Sequence, residues 1–135
     1  MKKIAILRHD DLITLEFISP DGKCKAAAWV EVADTPSLRR QGLSKRAELP
    51  AGRGMFFDKV GAYWMKDVNF DLDILFLDKH GYVLEKQYMP MLKESTDNRP
   101  LYVPESPYAM HALELPAGWF EAKGLSIGDK LVAKA

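Results

Sequence analysis

The sequence contains little cysteine: Cys24 is the only one among 135 residues. One thiol cannot form a disulfide within the chain, and small secreted domains commonly depend on several such bonds. We therefore expect a protein of a reducing compartment, with the cytoplasm as its location. We also expect Cys24 to be a small buried apolar side chain that takes no part in a reaction.

Long apolar runs are missing as well. None approaches the roughly 20 residues that a membrane helix needs, and the run from Ile4 to Leu7 is too short for the core of a signal peptide. The sequence therefore predicts a soluble protein with no membrane partner.

The chain also lacks net charge, since 19 Lys and Arg residues balance 19 Asp and Glu residues. Nucleic-acid binders usually rely on a long-range positive field, which a neutral chain does not generate. We expect no nucleic-acid partner. Five basic residues between Arg39 and Arg53 do face a single acid, Glu48, which indicates either a solvated helix face or a local site for an anion.

Recognisable catalytic and cofactor motifs are absent: there is no nucleophile elbow, no phosphate loop and no His/Cys metal spacing. The histidines His9, His80 and His111 are far apart in the sequence, and we expect His111 to pack. The aspartates at 67, 71, 73 and 78 form an acidic run without the spacing of a calcium loop, so turn and strand-end roles are expected. We expect no metal and no cofactor, and the residues favour a protein that is not an enzyme.

The chain concentrates its large side chains between residues 54 and 81, around the nearly continuous apolar run Leu72 to Leu77. Such a run is typical of a strand covered on both faces, and Asp73 is its one polar residue. The length suits one core, and no linker interrupts it, so residues 1–135 are predicted to form a single domain.

Periodicity and turn signals predict the other elements. Thr35 and Pro36 have the residue types of a helix N-cap and first helical position, and Gly124 closes a second short helix. The proline-rich stretch 90–107 is predicted to be a packed flap. Strands are expected at 12–18, 23–32, 55–57, 62–66, 72–77, 82–89, 109–115 and 130–133, with hairpins joining the first pair and the pair around Gly81.

Three ordered blocks carry a family resemblance: Val30 to Pro50, Gly54 to Val83 and Ala112 to Leu131. Together they resemble the bacterial and archaeal family known as domain of unknown function 192, with residues 30–135 matching and a hairpin region, 1–29, outside. The resemblance implies a mainly β (α+β), compact, barrel-like single domain with a helix near 36–45 and a short one near 117–123. It implies no established activity.

The chain departs from the family pattern at three positions. Ser44 stands where relatives commonly have Met, Asp67 where they have Asn, and Asp71 where they have Pro. If the family shares a ligand around the Trp64-Met65-Lys66 motif, this member is expected to bind it weakly or to bind something else.

Six polar and aromatic residues match the family's motif positions. Gathered in one cleft, they would supply a stacking surface, a cationic rim and one acceptor, which suits a sugar, a carboxylate or a phosphorylated small molecule. In the alternative, Asp73 is a buried ionic partner of Arg39 or Lys66 with a purely structural role. The candidate ligand-binding residues are Arg39, Arg46, Tyr63, Trp64, Lys66 and Asp73.

The sequence therefore leaves three functional hypotheses open. The first is a non-enzymatic module that binds a small polar or anionic ligand, or a protein partner, between Trp64 to Lys66, the basic helix end and the flap. The second is a structural or assembly protein of a larger particle, virion-associated if phage-encoded, in which Tyr102 and Tyr108 bury against another chain or a second copy. A hydrolase is third, since no acid, base and nucleophile set has a recognisable spacing.

Overall fold

The computed structural model describes residues 12–93 and 99–134, which form seven strands and two short helices. The predicted elements are present apart from one strand, and the expectation of a mainly β, α+β fold is confirmed. The strands are β1 (Ile13–Ile18), β2 (Cys24–Ala33), β3 (Arg53–Phe57), β4 (Leu72–Leu77), β5 (Val83–Met89), β6 (His111–Pro116) and β7 (Lys130–Ala133). The helices are α1 (Pro36–Gln41) and α2 (Trp119–Ala122).

All seven strands join one sheet in the order β5-β4-β6-β3-β2-β1-β7. The pairs β1–β2 and β4–β5 are antiparallel, so both predicted hairpins are confirmed. Strands β2 and β3 are parallel because the connection between them, α1 with its flanking loops, returns the chain to the end of the sheet at which β2 begins. This crossover places α1 over one face of the sheet.

The sheet is not a closed barrel, so only the compact, mainly β part of the barrel-like expectation is confirmed. Strands β5 and β7 are its edges, yet the chain just before each of them meets the other. Val83 donates its N–H to the Asp129 carbonyl at 2.9 Å, and Leu131 donates to the Gly81 carbonyl at 2.8 Å. These contacts draw one end of the two edge strands together without a continuous ladder.

Each face of the sheet has its own hydrophobic core. Leu75 and Leu77 of β4 point to one core with α2, while Ile74 and Phe76 point to the other, which α1 and the loop after β3 cover. All six residues of β4 are buried, which confirms the prediction that this is the most buried strand. The first face is called the α2 face below, and the second is called the α1 face.

Three local expectations need correction. Residues 62–66 do not form a strand, because Tyr63 makes only an isolated bridge to Tyr102 before the chain turns. Helix α1 ends earlier than expected, at Gln41, because Gly42 takes a φ of 52° and leaves the helix. Cys24 is exposed rather than buried. His9 lies outside the described residues.

The flap was predicted to pack, and within 90–93 and 99–107 it does so in part. Leu92 and Tyr102 pack against the core of the α1 face, whereas Leu101 and Val103 are more than half exposed. The described part of this segment contains no helix and, apart from the bridge at Tyr102, no ladder, as its prolines predict.

Gly54 of β3 lets two strands approach closely. A Cβ built there would lie 2.1 Å from the backbone carbonyl oxygen of Glu114 and 3.1 Å from Leu115. No side chain fits in that space, so Gly54 fixes where β6 sits beside β3. This close approach also sets the position of Glu114.

Candidate functional site

A cleft of about 290 Å³ opens on the α1 face of the sheet. Its walls come from residues 39–44, residues 62–68 and Leu101 of the flap, and its floor is formed by Phe57 of β3 and Glu114 of β6. The volume is at the lower end of the range for ligand sites, which suits a molecule of a few to about a dozen heavy atoms.

The first wall is held by helix α1 and the turn that follows it. The Thr35 hydroxyl accepts the N–H of Leu38 at 3.1 Å, and Pro36 occupies the first helical position, so the predicted cap is confirmed. After the helix, Leu43 is fully buried in the core of the α1 face. This anchor turns Arg39 and Arg40 of the last helical turn toward the cleft.

Two hydrogen bonds, one between backbone groups and one from the Asn69 side chain, tie the second wall to the chain that follows the first. Lys45 donates its N–H to the Asp67 carbonyl at 2.7 Å, and the Asn69 amide donates to the Arg46 carbonyl at 2.7 Å. Buried Met65 and Val68 fix the segment from below. Lys66, between these anchors, is left exposed at the mouth of the cleft with Trp64.

The flap closes the remaining side. Tyr63 and Tyr102 exchange two backbone hydrogen bonds of 2.9 and 2.8 Å, which places Leu101 against the cleft. The Tyr63 ring is 8% exposed and packs edge-on against Phe57, with 5.0 Å between the ring centroids. Burial raises the pKa of its hydroxyl well above the ordinary value, so this group is an uncharged hydrogen-bonding group at the floor.

Glu114 is the unusual member of the floor. Its side chain is 5% exposed, and among the described residues no hydrogen bond reaches its carboxyl group. Burial away from water raises the pKa of Glu114 from its ordinary 4.5 to about 8, so the group carries a proton at neutral pH. Buried carboxyl groups usually have a donor or a cation beside them, which makes an unpartnered one in a cleft a candidate functional group.

The cations around the cleft are not equivalent. Arg39 is committed, since its Nη1 donates to Asp58 Oδ1 at 2.7 Å. Arg40 and Lys66 are exposed and, within residues 12–93 and 99–134, form no ion pair. The Lys66 ammonium lies 5.9 Å from the centroid of the Trp64 ring.

Trp64 also has a second cation near its ring. The Arg99 guanidinium carbon lies 5.1 Å from its ring centroid, and the indole is 45% exposed. The mouth of the cleft therefore combines an accessible aromatic surface with positive charge, as expected for a site that contacts an anion or a polar ring.

Four of the six predicted site residues meet in this cleft: Arg39, Tyr63, Trp64 and Lys66. Arg46 does not. It forms a bidentate ion pair with Glu31 of β2, in which Arg46 Nη2 donates to Glu31 Oε1 at 2.8 Å and Nη1 donates to Oε2. The hydrogen bond to Glu31 raises the pKa of Arg46, and the pair holds the turn after α1 against the sheet.

Asp73 is also outside the cleft, because it points to the α2 face. Its predicted pairing with Arg39 or Lys66 is wrong. The Asp73 carboxylate is buried and accepts from Lys86 at 3.4 Å and from the Gly118 N–H at 3.0 Å. Lys86 also binds Glu121 of α2 at 2.7 Å. The position in β4 could be read from the sequence, but the partner could not.

The other aspartates have the turn and strand-end roles that their residue type predicts. Asp67 adopts a φ of 59°, which aspartate and asparagine tolerate better than most residues, and Asp71 Oδ1 accepts the Met91 N–H at 2.7 Å. Asp78 Oδ1 accepts the N–H groups of His80 and Tyr82. In the part of the chain that is described, no three His, Cys, Asp or Glu side chains are placed to hold a metal ion.

His111 packs, as expected, on the face away from the cleft, with 5.4 Å between its ring centroid and that of Phe56. Its Nδ1 lies 2.8 Å from the carbonyl of Asp58. Since a carbonyl oxygen only accepts, Nδ1 is the nitrogen that carries the proton. Burial lowers the pKa of this imidazole, which favours the neutral form.

Two polar cleft residues are not among the six candidates, Glu114 and Arg40, although Arg40 belongs to the basic run for which an anion site was one alternative. A signal for Glu114 was present, because it is a lone acid between Ala112-Leu113 and Leu115 in a predicted strand, the same pattern that singled out Asp73. Arg40 differs from Arg39 only in which way it points, and neighbouring helical residues cannot be ranked by accessibility from the sequence alone.

The fold and the cleft define a small α+β protein built on one seven-stranded sheet with a polar cleft on one face. The chain belongs to the DUF192 family, described as "Uncharacterized ACR", whose model matches residues 17–133. The resemblance seen in the three sequence blocks is thereby confirmed. No curated protein matches the chain.

Two solved structures are similar to it. One, from Sinorhizobium meliloti 1021, is described as a "putative transcription regulator"; it is 28% identical, with a TM-score of 0.74, covering 90% of this chain and 93% of that one. The other, a protein of unknown function from Novosphingobium aromaticivorans DSM 12444, is 22% identical, with a TM-score of 0.72, covering 90% and 84%. At that identity the second shows the fold alone. Neither of the two described helices is long and apolar enough to cross a membrane.

Proposed function

We propose that this chain is a non-enzymatic binding module whose cleft holds a small polar molecule with an anionic group. The observation that carries the proposal is the meeting of two uncommitted cations, Arg40 and Lys66, with the exposed Trp64 indole at the mouth of one concave site. An anion at this mouth gains two positive charges without breaking an existing ion pair in the described residues.

The rest of the lining supports a small ligand. Leu43, Phe57 and Val68 give the middle of the cleft an apolar surface, and Tyr63 and Glu114 place polar groups at its floor. A site with a few convergent polar groups and an apolar wall is the usual form of a small-molecule pocket. At about 290 Å³, the cleft suits a single sugar or amino-acid-sized molecule better than a peptide.

The lining also favours binding over catalysis. Ser44 is its one hydroxyl of the kind that attacks an acyl group, and no histidine lines the cleft with it in the described part of the chain. His111 lies on the other face. The described lining therefore contains no serine–histidine pair, so the hydrolase hypothesis is the weakest of the three.

The assembly hypothesis has one observation in its favour. Leu101, Val103 and Tyr108, between 101 and 108, are 63%, 51% and 74% exposed. Apolar side chains this exposed on one segment often contact another chain. The experiment for the cleft therefore includes a measurement of molecular size.

The zero net charge and the short helices of six and four residues support a binding partner other than nucleic acid. What the Sinorhizobium structure is described to be is a statement about that protein. A regulatory role for this chain would, on this proposal, pass through a small molecule in the cleft.

The test is a thermal-shift screen with butyrate, inorganic phosphate and glucose 6-phosphate on the wild type and on Arg40→Ala, Lys66→Ala and Trp64→Ala. A ligand at a hundredfold excess over its Kd stabilises the folded state by about 2.7 kcal/mol. We expect an anionic probe to shift the wild type. Arg40→Ala and Lys66→Ala should each weaken its binding by about tenfold, since a charge-assisted hydrogen bond is of that size, and Trp64→Ala should weaken binding by removing an aromatic contact.

Matched controls come from the same chain. Lys123→Ala removes an exposed cation beside α2, and Trp29→Ala removes an indole that is 48% exposed on another part of the surface. Both are expected to keep the wild-type affinity. If no anion shifts the wild type while Tyr102→Ala or Tyr108→Ala changes the size of the protein in size-exclusion chromatography, the assembly hypothesis replaces this one.

A further inference from the structure

Glu114 places an acidic group at the opposite end of the cleft from its cations. The carboxyl group is at the floor, on a central strand, while Arg40 and Lys66 are exposed at the mouth. Among the described residues no cation forms an ion pair with Glu114: Arg39 is held by Asp58, Arg46 is held by Glu31, and Arg53 of the neighbouring β3 has a buried Nε without a hydrogen-bond partner. The cleft is therefore polarised, positive at its mouth and acidic at its floor.

A molecule that matches both ends carries an anion and a hydrogen-bonding cation separated by a short apolar span. An ammonium group at the floor would give the buried carboxylate the donor that it lacks among the described residues. The apolar wall formed by Leu43, Phe57 and Val68 would contact the methylene groups between the two charges. A simple anion would use only the mouth.

We propose that this cleft selects small zwitterions, of the amino-carboxylate class, with the ammonium on Glu114 and the carboxylate between Arg40 and Lys66. The inference rests on the proposed function, because it assigns the second end of the same ligand. It assigns Glu114 as a ligand-binding residue that determines specificity.

The neighbours of Glu114 determine whether ligand binding is coupled to release of its proton. The strand neighbours Met55 and Ile74 bring no charge, and Tyr63 faces it as a neutral hydroxyl. The charged groups on the elements packed over this face are Arg39 with Asp58, Arg40 and Lys66. Arg53 lies on the adjacent strand β3, two residues from Met55 and on the same face, and the Glu31–Arg46 pair lies two strands away.

Because burial keeps a proton on this carboxyl up to a pKa of about 8, an ammonium ligand must displace that proton when it binds. Its affinity should therefore rise about tenfold per pH unit below 8 and level off above it. An anion that instead accepts the proton of Glu114 at the floor would show the reverse, with affinity falling above pH 8.

The experiment is isothermal titration calorimetry of butyrate, 4-aminobutyrate and butylamine at pH 6.5, 7.5 and 8.5. The three probes share a four-carbon chain and differ only in their charged ends. At pH 8.5 we expect 4-aminobutyrate to bind at least tenfold more tightly than either single-charge probe. Repeating the titration at pH 7.5 in buffers of different ionisation enthalpy should detect release of a substantial fraction of a proton.

The deciding variant is Glu114→Gln, with Glu48→Gln as an exposed control. Glu114→Gln is expected to abolish the preference for 4-aminobutyrate over butyrate and to leave butyrate binding at wild-type strength. Circular dichroism confirms that the variant is folded.

The outcomes separate the two proposals. Butyrate binding that depends on Arg40 and Lys66, with no gain from the amine or with Glu114→Gln unchanged, overturns the zwitterion assignment and leaves the anion-binding function standing. If none of the anionic probes of the two experiments binds, the proposed function fails and takes this inference with it.

Discussion

Asp73 and Glu114 are two buried carboxyl groups on neighbouring strands, and they are built into the protein in opposite ways. In the register of β4 and β6, Asp73 is opposite Leu115 and Glu114 is opposite Ile74, so the two acids are adjacent but point to opposite faces. Asp73 is held by Lys86 and by the N–H of Gly118. Glu114 has no such partner in the described chain and opens to the cleft.

The difference teaches what distinguishes a structural acid from a candidate functional one. Asp73 connects β4 to β5 and to the start of α2, so its interactions stabilise the fold itself. Burial keeps the carboxyl group of Glu114 protonated. Its charged form is destabilised there unless a ligand supplies a hydrogen-bond donor. Asp73, on the α2 face, is thus satisfied within the fold, while Glu114, on the α1 face, is left for a ligand.

The largest effect on stability is expected from removing Asp73, the buried carboxylate that has partners within the fold. Asp73→Ala leaves the Gly118 N–H without its acceptor and Lys86 with Glu121 alone, and should lower the free energy of unfolding by about 2–4 kcal/mol, measured by urea denaturation. Glu121→Ala, which removes the exposed partner of the same lysine, is the control and should cost under about 1 kcal/mol. Equal losses in the two variants would show that the Asp73 pair is not the structural one.

Glu114, the buried carboxyl group without a partner in the described chain, should make the stability of the protein depend on pH. Its folded pKa of about 8 is above the ordinary 4.5, so the folded state binds the proton more tightly and stability falls as pH rises between these values. The contribution is on the order of 1 kcal/mol per pH unit. Glu114→Gln should remove this slope and be more stable than the wild type at pH 8 by about 1–3 kcal/mol.

Urea denaturation between pH 5 and 9 measures both quantities, with Glu48→Gln as the control that should keep the wild-type slope. Parallel slopes for the wild type and Glu114→Gln would contradict the placement of Glu114 as a buried, protonated group.

A smaller effect is expected at Arg46, which tests whether it belongs to the fold or to the cleft. Arg46→Ala leaves Glu31, 7% exposed, without its ion-pair partner and should cost about 1–3 kcal/mol. Binding of butyrate in the titration above should not change. A loss of affinity with little loss of stability would return Arg46 to the ligand site.

The smallest effects on stability are expected at the mouth of the cleft. Arg40→Ala and Lys66→Ala remove exposed side chains without ion pairs in the described residues and should each change the free energy of unfolding by less than about 0.5 kcal/mol. Lys86→Ala is the matched contrast, because this lysine is tied to Asp73 and Glu121 and should cost more than either. Three equal values would remove the distinction between the two faces.

The sequence predicted only part of the candidate site, because some of its residues belong to recognisable motifs and others are set by packing. Arg39, Trp64 and Lys66 were found because they match motif positions of the family that the sequence resembles. Asp73 was singled out and Glu114 was missed, although both are lone acids in apolar strands. Only the positions of Lys86, 13 residues away, and Gly118, 45 residues away, show which of the two is satisfied.

The sequence by itself determined the elements whose causes are local. The cap at Thr35, the turn at Asp78 and the buried strand from Leu72 to Leu77 each depend on residues within a few positions, so their physical chemistry can be read along the chain. The isolated Tyr63–Tyr102 bridge and the exposed Cys24 could not be read that way.

Only the tertiary structure decided which polar groups share a surface. The cleft joins residues from 39 to 114, and each face of the sheet receives alternate residues of the same strand. A one-residue difference in register therefore separates a structural carboxylate from a candidate ligand-binding one. That choice depends on strand pairing and on the elements that cover each face, which are set by the packing of the whole chain.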